Sequence, residues 1–363
     1  MTAAGGSSGT TVPQADAVAP RAADERTAAV ALAFAPRIGS VRFRELVGRY
    51  GSAVAALESL PAAVRQGVRR EAEAALTTLA RSGGSALALG QPGYPVALLD
   101  LPDPPPVLYA VGRLELLAHP AVAIVGTRRA TRGGIRAARH LAEAVARAGG
   151  VVMSGMARGI DGEAHQAALH AGGDTAAVLG TGVDMAYPRA HVALHRAIAA
   201  RGLVLSELPP GERADAGSFP RRNRLIAALA RVTLVVEAPH RSGALITAAH
   251  ALELGRTVAA VPGPIDSVEC AGSNLLLRDG AQVITDAADL LQLAGLHAAA
   301  PTRHPELEGP AADVWRALAD GSPDVETLVE RTGLPTRVCL TALAELELAG
   351  LVECALTGEV ARR

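Results

Sequence analysis

The sequence predicts an α/β protein built on a doubly wound, mostly parallel sheet. A small N-terminal helical domain precedes the sheet and a C-terminal winged-helix domain follows it. Three observations carry this expectation. Six short, continuously apolar runs recur between residues 119 and 296, as strands buried on both faces of a parallel sheet do. Amphipathic segments such as GIRAARHLAEAVARAG (134–149) and GALITAAHALELG (243–255) stand between them. The chain has 363 residues, 49% hydrophobic and 20% charged, enough for two or three globular domains.

The elements follow in order. Residues 1–25, rich in Ala, Gly, Ser and Thr, read as a disordered tail. Residues 26–85 read as a helical unit. In it, RIGSVRFRELVGRYGSAVAAL (37–57) has a Gly-Ser turn and helical apolar spacing at Val41, Leu46 and Val47. That pattern faintly resembles SAM or helix-hairpin-helix modules; a plain packing domain is the simpler expectation. Residues 86–118 contain a proline cluster that suits neither helix nor central strand, so they read as an extended connector. The apolar runs are AVAIVG (121–126), GVVMSG (150–155), DTAAVLG (174–180), GLVLSE (202–207), RVTLVVEA (231–238) and RTVAAVPG (256–263). Their βαβ alternation over 119–296 argues for a Rossmann-like sheet. A linker is expected at 297–310. Residues 311–363 then read as helix, helix, helix and strand, with a helix-turn-helix at Thr327–Gly333 and Pro335.

Composition removes several function classes. A net charge of -1 does not suit a polybasic coat for nucleic acid, so any anion site must be local. Aromatics at 2% argue against the usual base-stacking platform. Every basic residue is arginine, so neither a Walker A lysine nor a Schiff-base lysine is available. Cys270, Cys339 and Cys354 are scattered without a CxxC pair, which suggests neither a disulfide framework nor a zinc site. The run AAVALAFA (28–35) is too short to span a membrane. A cytoplasmic protein with no metal and no cofactor is expected.

Open parallel sheets bind ligands at the carboxyl ends of their strands. The first strand is followed by GTRRATRGG (126–134), the second by SGMARGID (154–161) and the third by GTGVDMAYPR (180–189). A long loop ending in FPRRNR (219–224) follows the fourth, and PHRSGALITA (239–248) the fifth. Glycine lets backbone amides approach an anion at a helix start, and arginine adds planar, permanently charged forks. Arg221, Arg222 and Arg224 sit where a helix is expected to begin, a place that disfavours bare cations. The convergence points to an extended polyanion, against solvated surface charge as the alternative. A dinucleotide fits poorly: the first turn lacks G-x-G-x-x-G, and Met153-Ser154-Gly155 ends the second strand without a ribose-binding acid.

These motifs, with SFPRRNRLIAALA, VVEAPHRSGALITAAHALELGR and VPGPIDSVECAGSNLLLRDGA, resemble in order and spacing those of the DNA-processing protein A family (DprA, or Smf). The resemblance covers roughly residues 93–293. It implies a non-enzymatic mediator of recombination that binds single-stranded DNA and works as a homodimer. Such a mediator protects incoming strands in natural transformation and promotes loading of the RecA recombinase. It also implies a DNA pocket at Gly126, Thr127 and Arg128; Ser154, Gly155, Arg158 and Gly159; and Phe219, Arg222, Asn223 and Arg224. Arg241, Ser242 and Gly243 complete the expected site. Thr127 stands where the family carries Ser and keeps a hydroxyl. Asp215–Ser218 precede Phe219 where many members place a basic residue. Arg221 falls at a variable position and is expected to be replaceable.

Single residues have competing roles. Phe219 either stacks on bases or staples its helix, with Pro220 suited to the first helical position. Asp161 and His165, spaced i, i+4, with His170 beyond, suit acid–base work less well than structure: Asp161 as a helix cap or an orienter of Arg158, His165 as a partner of the loop. Glu237 is expected to orient Arg241. The last domain carries Asp313, Asp320, Asp324, Glu326, Glu330, Glu345 and Glu347 against Arg316, Arg331 and Arg337. The domain is therefore expected to be a protein-interaction or packing module and not the main DNA reader. The alternative function is a nucleotide-binding phosphoribohydrolase of the lysine-decarboxylase-like (LOG) type, although that family's P-G-G-x-G-T-x-x-E signature is absent.

Overall fold

The computed structural model describes residues 18–215, 217–297, 307–318, 323–354 and 360–362. The chain divides into two compact units after Ala298. The first opens with α1 (Val18–Phe34), α2 (Ser40–Tyr50), α3 (Ala53–Glu58) and α4 (Ala62–Arg81). Helix thus replaces the expected tail from Val18 onward. The stretch is alanine-rich, and Pro20 lies in the first turn, where a missing N–H costs nothing. The rest of the expected tail, 1–17, lies outside the described residues. In α2 the buried apolar side chains are Phe43 and Leu46, whereas Val41 faces solvent.

A nine-stranded sheet follows. Its strands are β1 (Gly84–Ala88), β2 (Val107–Gly112), β3 (Ala121–Val125), β4 (Val151–Ser154), β5 (Asp174–Leu179), β6 (Leu203–Ser206), β7 (Val232–Val235), β8 (Thr257–Ala260) and β9 (Gln282–Val283). The spatial order is β1-β2-β6-β5-β4-β3-β7-β8-β9. The pairs from β6 to β9 are parallel; β2 is antiparallel to both β1 and β6. All six apolar runs are strands. The connector is the correction, because β2 is an interior strand with five consecutive buried residues. Its prolines end at Pro106, and β2 starts with the next residue, so no ladder hydrogen bond is lost.

The helices between strands are α5 (Arg132–Arg147), α6 (Ile160–His170), α7 (Val192–Arg201), α8 (Ser218–Leu229), α9 (Gly243–Glu253), α10 (Ala271–Arg278) and α11 (Ala287–Ala294). Leu141 and Val145 of α5, Ala164 and Ala168 of α6, and Leu290 of α11 pack in one core with Val122, Val152 and Leu234. Leu225, Ile226 and Ala228 of α8 and Ala248 of α9 pack in another with Ala123, Met153 and Val235. The alternate residues of β3, β4 and β7 thus face two helical layers, which is the doubly wound arrangement. A third core joins the N-terminal helices to β1, β2, β5 and β6 through Leu32, Phe43, Leu57, Tyr109 and Val204.

The second unit contains α12 (Gly309–Ala317), α13 (Val325–Thr332) and α14 (Thr336–Leu348), then the antiparallel pair β10 (Val352–Cys354) and β11 (Val360–Arg362). Asp324 caps α13 by accepting from the Thr327 N–H, and Gly333 ends it in the left-handed conformation. Leu328, Cys339, Leu343, Leu346 and Val360 form its core. The expected linker falls largely on 298–306, outside the described residues, as does Asp320. Among the described residues no helix is long and apolar enough to cross a membrane.

Candidate functional site

Strands β3 and β7 lie side by side at the centre of the sheet, and their connections leave in opposite directions, to β4 and to β8. This is a topological switch point, where open α/β sheets leave a crevice. A cleft of about 540 Å³ occupies it, between the β3–α5 loop and the start of α9. A second cleft of about 340 Å³ adjoins it over β4 and β5. Arg128, Arg129, Phe219 and Arg222 border both.

The loops are held rigidly from below. Thr127 donates its N–H to the Glu237 carbonyl at 2.7 Å. The Glu237 carboxylate, 5% exposed, accepts from the Thr131 N–H at 2.9 Å and its hydroxyl at 2.5 Å. Thr131 in turn caps α5. Glu237 is therefore a clamp on the arginine-bearing loop and not an orienter of Arg241. In the next loop Asp161 accepts from the N–H groups of Gly155 (3.1 Å) and Ala157 (3.4 Å). Met156 is buried there at φ 57°, and its carbonyl lies 3.0 Å from His191 Nδ1. Gly159, at φ 75°, closes the turn where a Cβ would come within 2.3 Å of the Thr127 carbonyl. The left-handed conformation and the close approach both require glycine.

The arginines divide into two classes. Arg222 is 4% exposed. Its guanidinium donates to the carbonyls of Gly155 (2.8 Å) and Val178, and its Nε to Asn223 Oδ1. A Cβ on Gly155 would collide with it. Burial pulls Arg222 down to about 10, opposed by the nearby Asp161 charge, so it stays protonated at neutral pH. Burial likewise raises Asp161, opposed first by Arg222. Asp161 is thus the counter-charge of Arg222 and not of Arg158. Arg224 is 5% exposed and turns away from both clefts. It reaches Glu207 at 2.6 Å and lies 3.4 Å from Asp103 in the connector. Burial raises Glu207, against the charges of Arg224 and Arg221. Arg221 is largely exposed and 3.3 Å from Glu207.

The premise of cations at a helix start also changes. Helix α8 begins at Ser218, so Arg221 is its fourth residue and Arg224 its seventh. Asp215 holds the true start, accepting from Gly217 N–H (2.8 Å) and Ser218 N–H (2.7 Å). Pro220 occupies the third helical position, still within the turn that lacks N–H partners.

Arg128, Arg129, Arg158 and Arg241 are exposed and line the clefts. No carboxylate among the described residues pairs with them. Arg128 lies over the Phe219 ring, 5.7 Å from its centroid. Asn223 donates to the Gly243 carbonyl at 3.1 Å, tying α8 to the start of α9. Ser242 caps α9 through the Ala244 N–H, and Gly243 faces open space. Ser154 is fully buried and donates to the Ile124 carbonyl, so it cannot reach a ligand. Gly126 packs under Ile160 and Glu237. His165 is buried against Thr175 of β5, 2.7 Å away.

Sequence reasoning missed two residues here. Arg129 borders both clefts, and the Arg128-Arg129 doublet was its signal. Tyr187 stacks obliquely on Phe219, centroids 5.1 Å apart, and nothing in the sequence pairs them. Among the described residues no cluster of three metal-ligating side chains occurs.

The family model for DNA recombination-mediator protein A matches residues 85–295. A DprA winged helix domain matches 298–355 and a DprA-like N-terminal HHH domain matches 23–86. Protein Smf of Escherichia coli is 36% identical over 306 residues, covering 81% of this chain and 82% of that protein. The putative DNA processing protein DprA of Mycobacterium tuberculosis is 45% identical, covering 69% of this chain and 67% of its own length. Protein Smf of Synechocystis is 46% identical; the match covers 56% of this chain and about half, 52%, of that relative. The solved DprA of Streptococcus pneumoniae superposes with a TM-score of 0.58 at 38% identity, covering 63% of this chain and 81% of that one. The Helicobacter pylori protein, whose structure is described for its single-stranded DNA binding mode, gives 0.53 at 33%, covering 59% and 97%. The chain belongs to the DNA recombination-mediator protein A family.

Proposed function

We propose that this chain is a cytoplasmic, non-enzymatic recombination mediator that binds single-stranded DNA across the two joined clefts. One observation carries the reading: among the described residues no carboxylate pairs with Arg128, Arg129, Arg158 or Arg241, which stand exposed around the switch point, the first three on loops clamped by Glu237 and Asp161. Unpaired cations on rigid loops favour a polyanion, and contacts to phosphates fix a strand without reading its sequence. Gly243 and the capped start of α9 add backbone donors at the far end of the first cleft. Protection of incoming strands in transformation, RecA loading and homodimerisation are what the resemblance to the family implies, and we carry them over as part of this proposal.

Fluorescence anisotropy with an oligo-dT strand tests it. Each phosphate contact should contribute about 0.7 to the slope of log K against log salt, so four contacts give a slope near -3. Arg128→Ala, Arg158→Ala and Arg241→Ala should each weaken binding and flatten that slope by about 0.7. Absence of strand binding, with release of free base from a nucleoside monophosphate, would replace this reading with the phosphoribohydrolase one.

A further inference from the structure

The second unit carries an apolar helix face that nothing among the described residues covers. The inward side of α14 is complete: Cys339, Ala342, Leu343 and Leu346 are buried in the core of the unit. Two leucines point the other way, Leu340 at 49% and Leu348 at 90% exposure. Ala344 is exposed midway between them. The spacing i, i+4, i+8 sets the three on one stripe of the helix. The stripe is about 12 Å long at a rise of roughly 1.5 Å per residue.

The charges beside this stripe are ordered along the helix. Arg337 lies at its amino end, and Glu345 and Glu347 lie at its carboxyl end, where the helix dipole adds further negative charge. Among the described residues the ion pair of this unit joins Arg316 to Asp313 on α12, so Arg337, Glu345 and Glu347 are left without one. Two glutamates beside the stripe oppose a phosphate backbone, so a nucleic acid is a poor occupant.

A second copy of the same helix is a good one in a single orientation. Laid parallel, it would set Arg337 against Arg337 and Glu347 against Glu347. Laid antiparallel about a two-fold axis at Ala344, it brings each Arg337 to the acidic carboxyl end of the other helix. The same axis places Leu340 of one copy beside Leu348 of the other, because the two leucines are equally far from Ala344. Ala344 then faces its own symmetry mate and is small enough to let the helices approach. Such a self-complementary patch is what an isologous contact requires.

We infer that this face of α14 docks on the same face of a second copy, as an antiparallel helix pair centred on Ala344. One helix on one helix falls below the roughly 1,000 Å² of a stable interface. The pair therefore forms at high protein concentration, or where copies are held side by side.

The test uses the concentrated full chain with Cys354, which is exposed, replaced by serine in every variant. Under mild oxidation Ala344→Cys should form a disulfide between two copies, located by peptide mass spectrometry. Leu340→Cys mixed with Leu348→Cys should join to one another and neither to itself, since like positions stand about 12 Å apart along the pair. Burial of one leucine is worth roughly tenfold in association. Leu348→Glu added to Ala344→Cys should therefore lower the disulfide yield by about tenfold or more, with the melting temperature unchanged. Arg337→Glu should also lower the yield, and Arg337→Glu combined with Glu347→Arg should restore it. A yield indifferent to Leu348→Glu, or each leucine position joining only to itself, overturns the pairing. Oligomers that form without a disulfide at position 344 likewise overturn it.

Discussion

Arg224 of α8 and Glu207, just past the end of β6, meet at 2.6 Å, each side chain only 6% exposed. Asp103 of the connector adds a second carboxylate, 3.4 Å from Arg224. A residue that belongs to the family's DNA motif is therefore occupied inside this protein. Its charge holds α8, the end of β6 and the connector together.

Removing one partner of such a pair strands the other. Arg224→Ala should cost about 3 kcal/mol of stability, because buried Glu207 keeps only the exposed Arg221 as a counter-charge. Arg224→Met combined with Glu207→Leu should recover most of that loss. Urea midpoints of the two singles and the double measure the coupling. Where the double variant is fully folded, it should bind oligo-dT much as the parent does. A loss of affinity there as large as that of Arg128→Ala would place Arg224 on the strand after all.

Gly243 offers the opposite case. Nothing lies within 4 Å of a Cβ built on it, and it is the first residue of α9. Gly243→Ala should leave the melting temperature unchanged or slightly raised, since alanine loses less freedom on folding. It should nevertheless weaken strand binding several-fold, because the added methyl holds a phosphate off the helix start. Unchanged affinity would remove the α9 terminus from the DNA path.

His165 supplies a pH dependence. Burial, followed by the charges of Arg222 and His191, depresses it to about 3. The unfolded chain protonates first as pH falls, near 6.5. Stability contributed by the neutral ring is therefore complete above that value and declines between pH 6.5 and 3, by at most about 1.4 kcal/mol per unit. Asp161, raised by burial, acts in the reverse sense at the acid end. Urea midpoints from pH 7 to 4.5 should fall less steeply in His165→Asn than in the parent. Parallel profiles would show that another group controls the acid limit.

The six buried strands were legible because both faces of β3 to β8 are covered, so each reads as an unbroken apolar run. β1 and β2 were not. Pro102 and Pro104–Pro106 mask the start of β2, and its partner β6 lies far along the chain. The glycines and arginines of the carboxyl edge were legible as a set, since strand order places them together. Which arginines are free was not legible. The deciding carboxylates, Asp161, Glu207 and Asp103, are paired with them only by the tertiary fold. Tyr187 was hidden for the same reason: a low aromatic fraction says nothing about where the few rings meet.

The antiparallel seam between β2 and β6 also sets an order of events during synthesis. Tyr109 pairs with Ser206, so β2 leaves the ribosome nearly a hundred residues ahead of its partner. At about 5–20 residues per second, the β1–β2 hairpin waits roughly 5–20 s with one edge unsatisfied. The N-terminal helices, made earlier still, are available to cover one face of that hairpin through Leu32, Phe43 and Leu57. They shield the apolar face of that hairpin through the same contacts, while its open edge is closed only when β6 arrives.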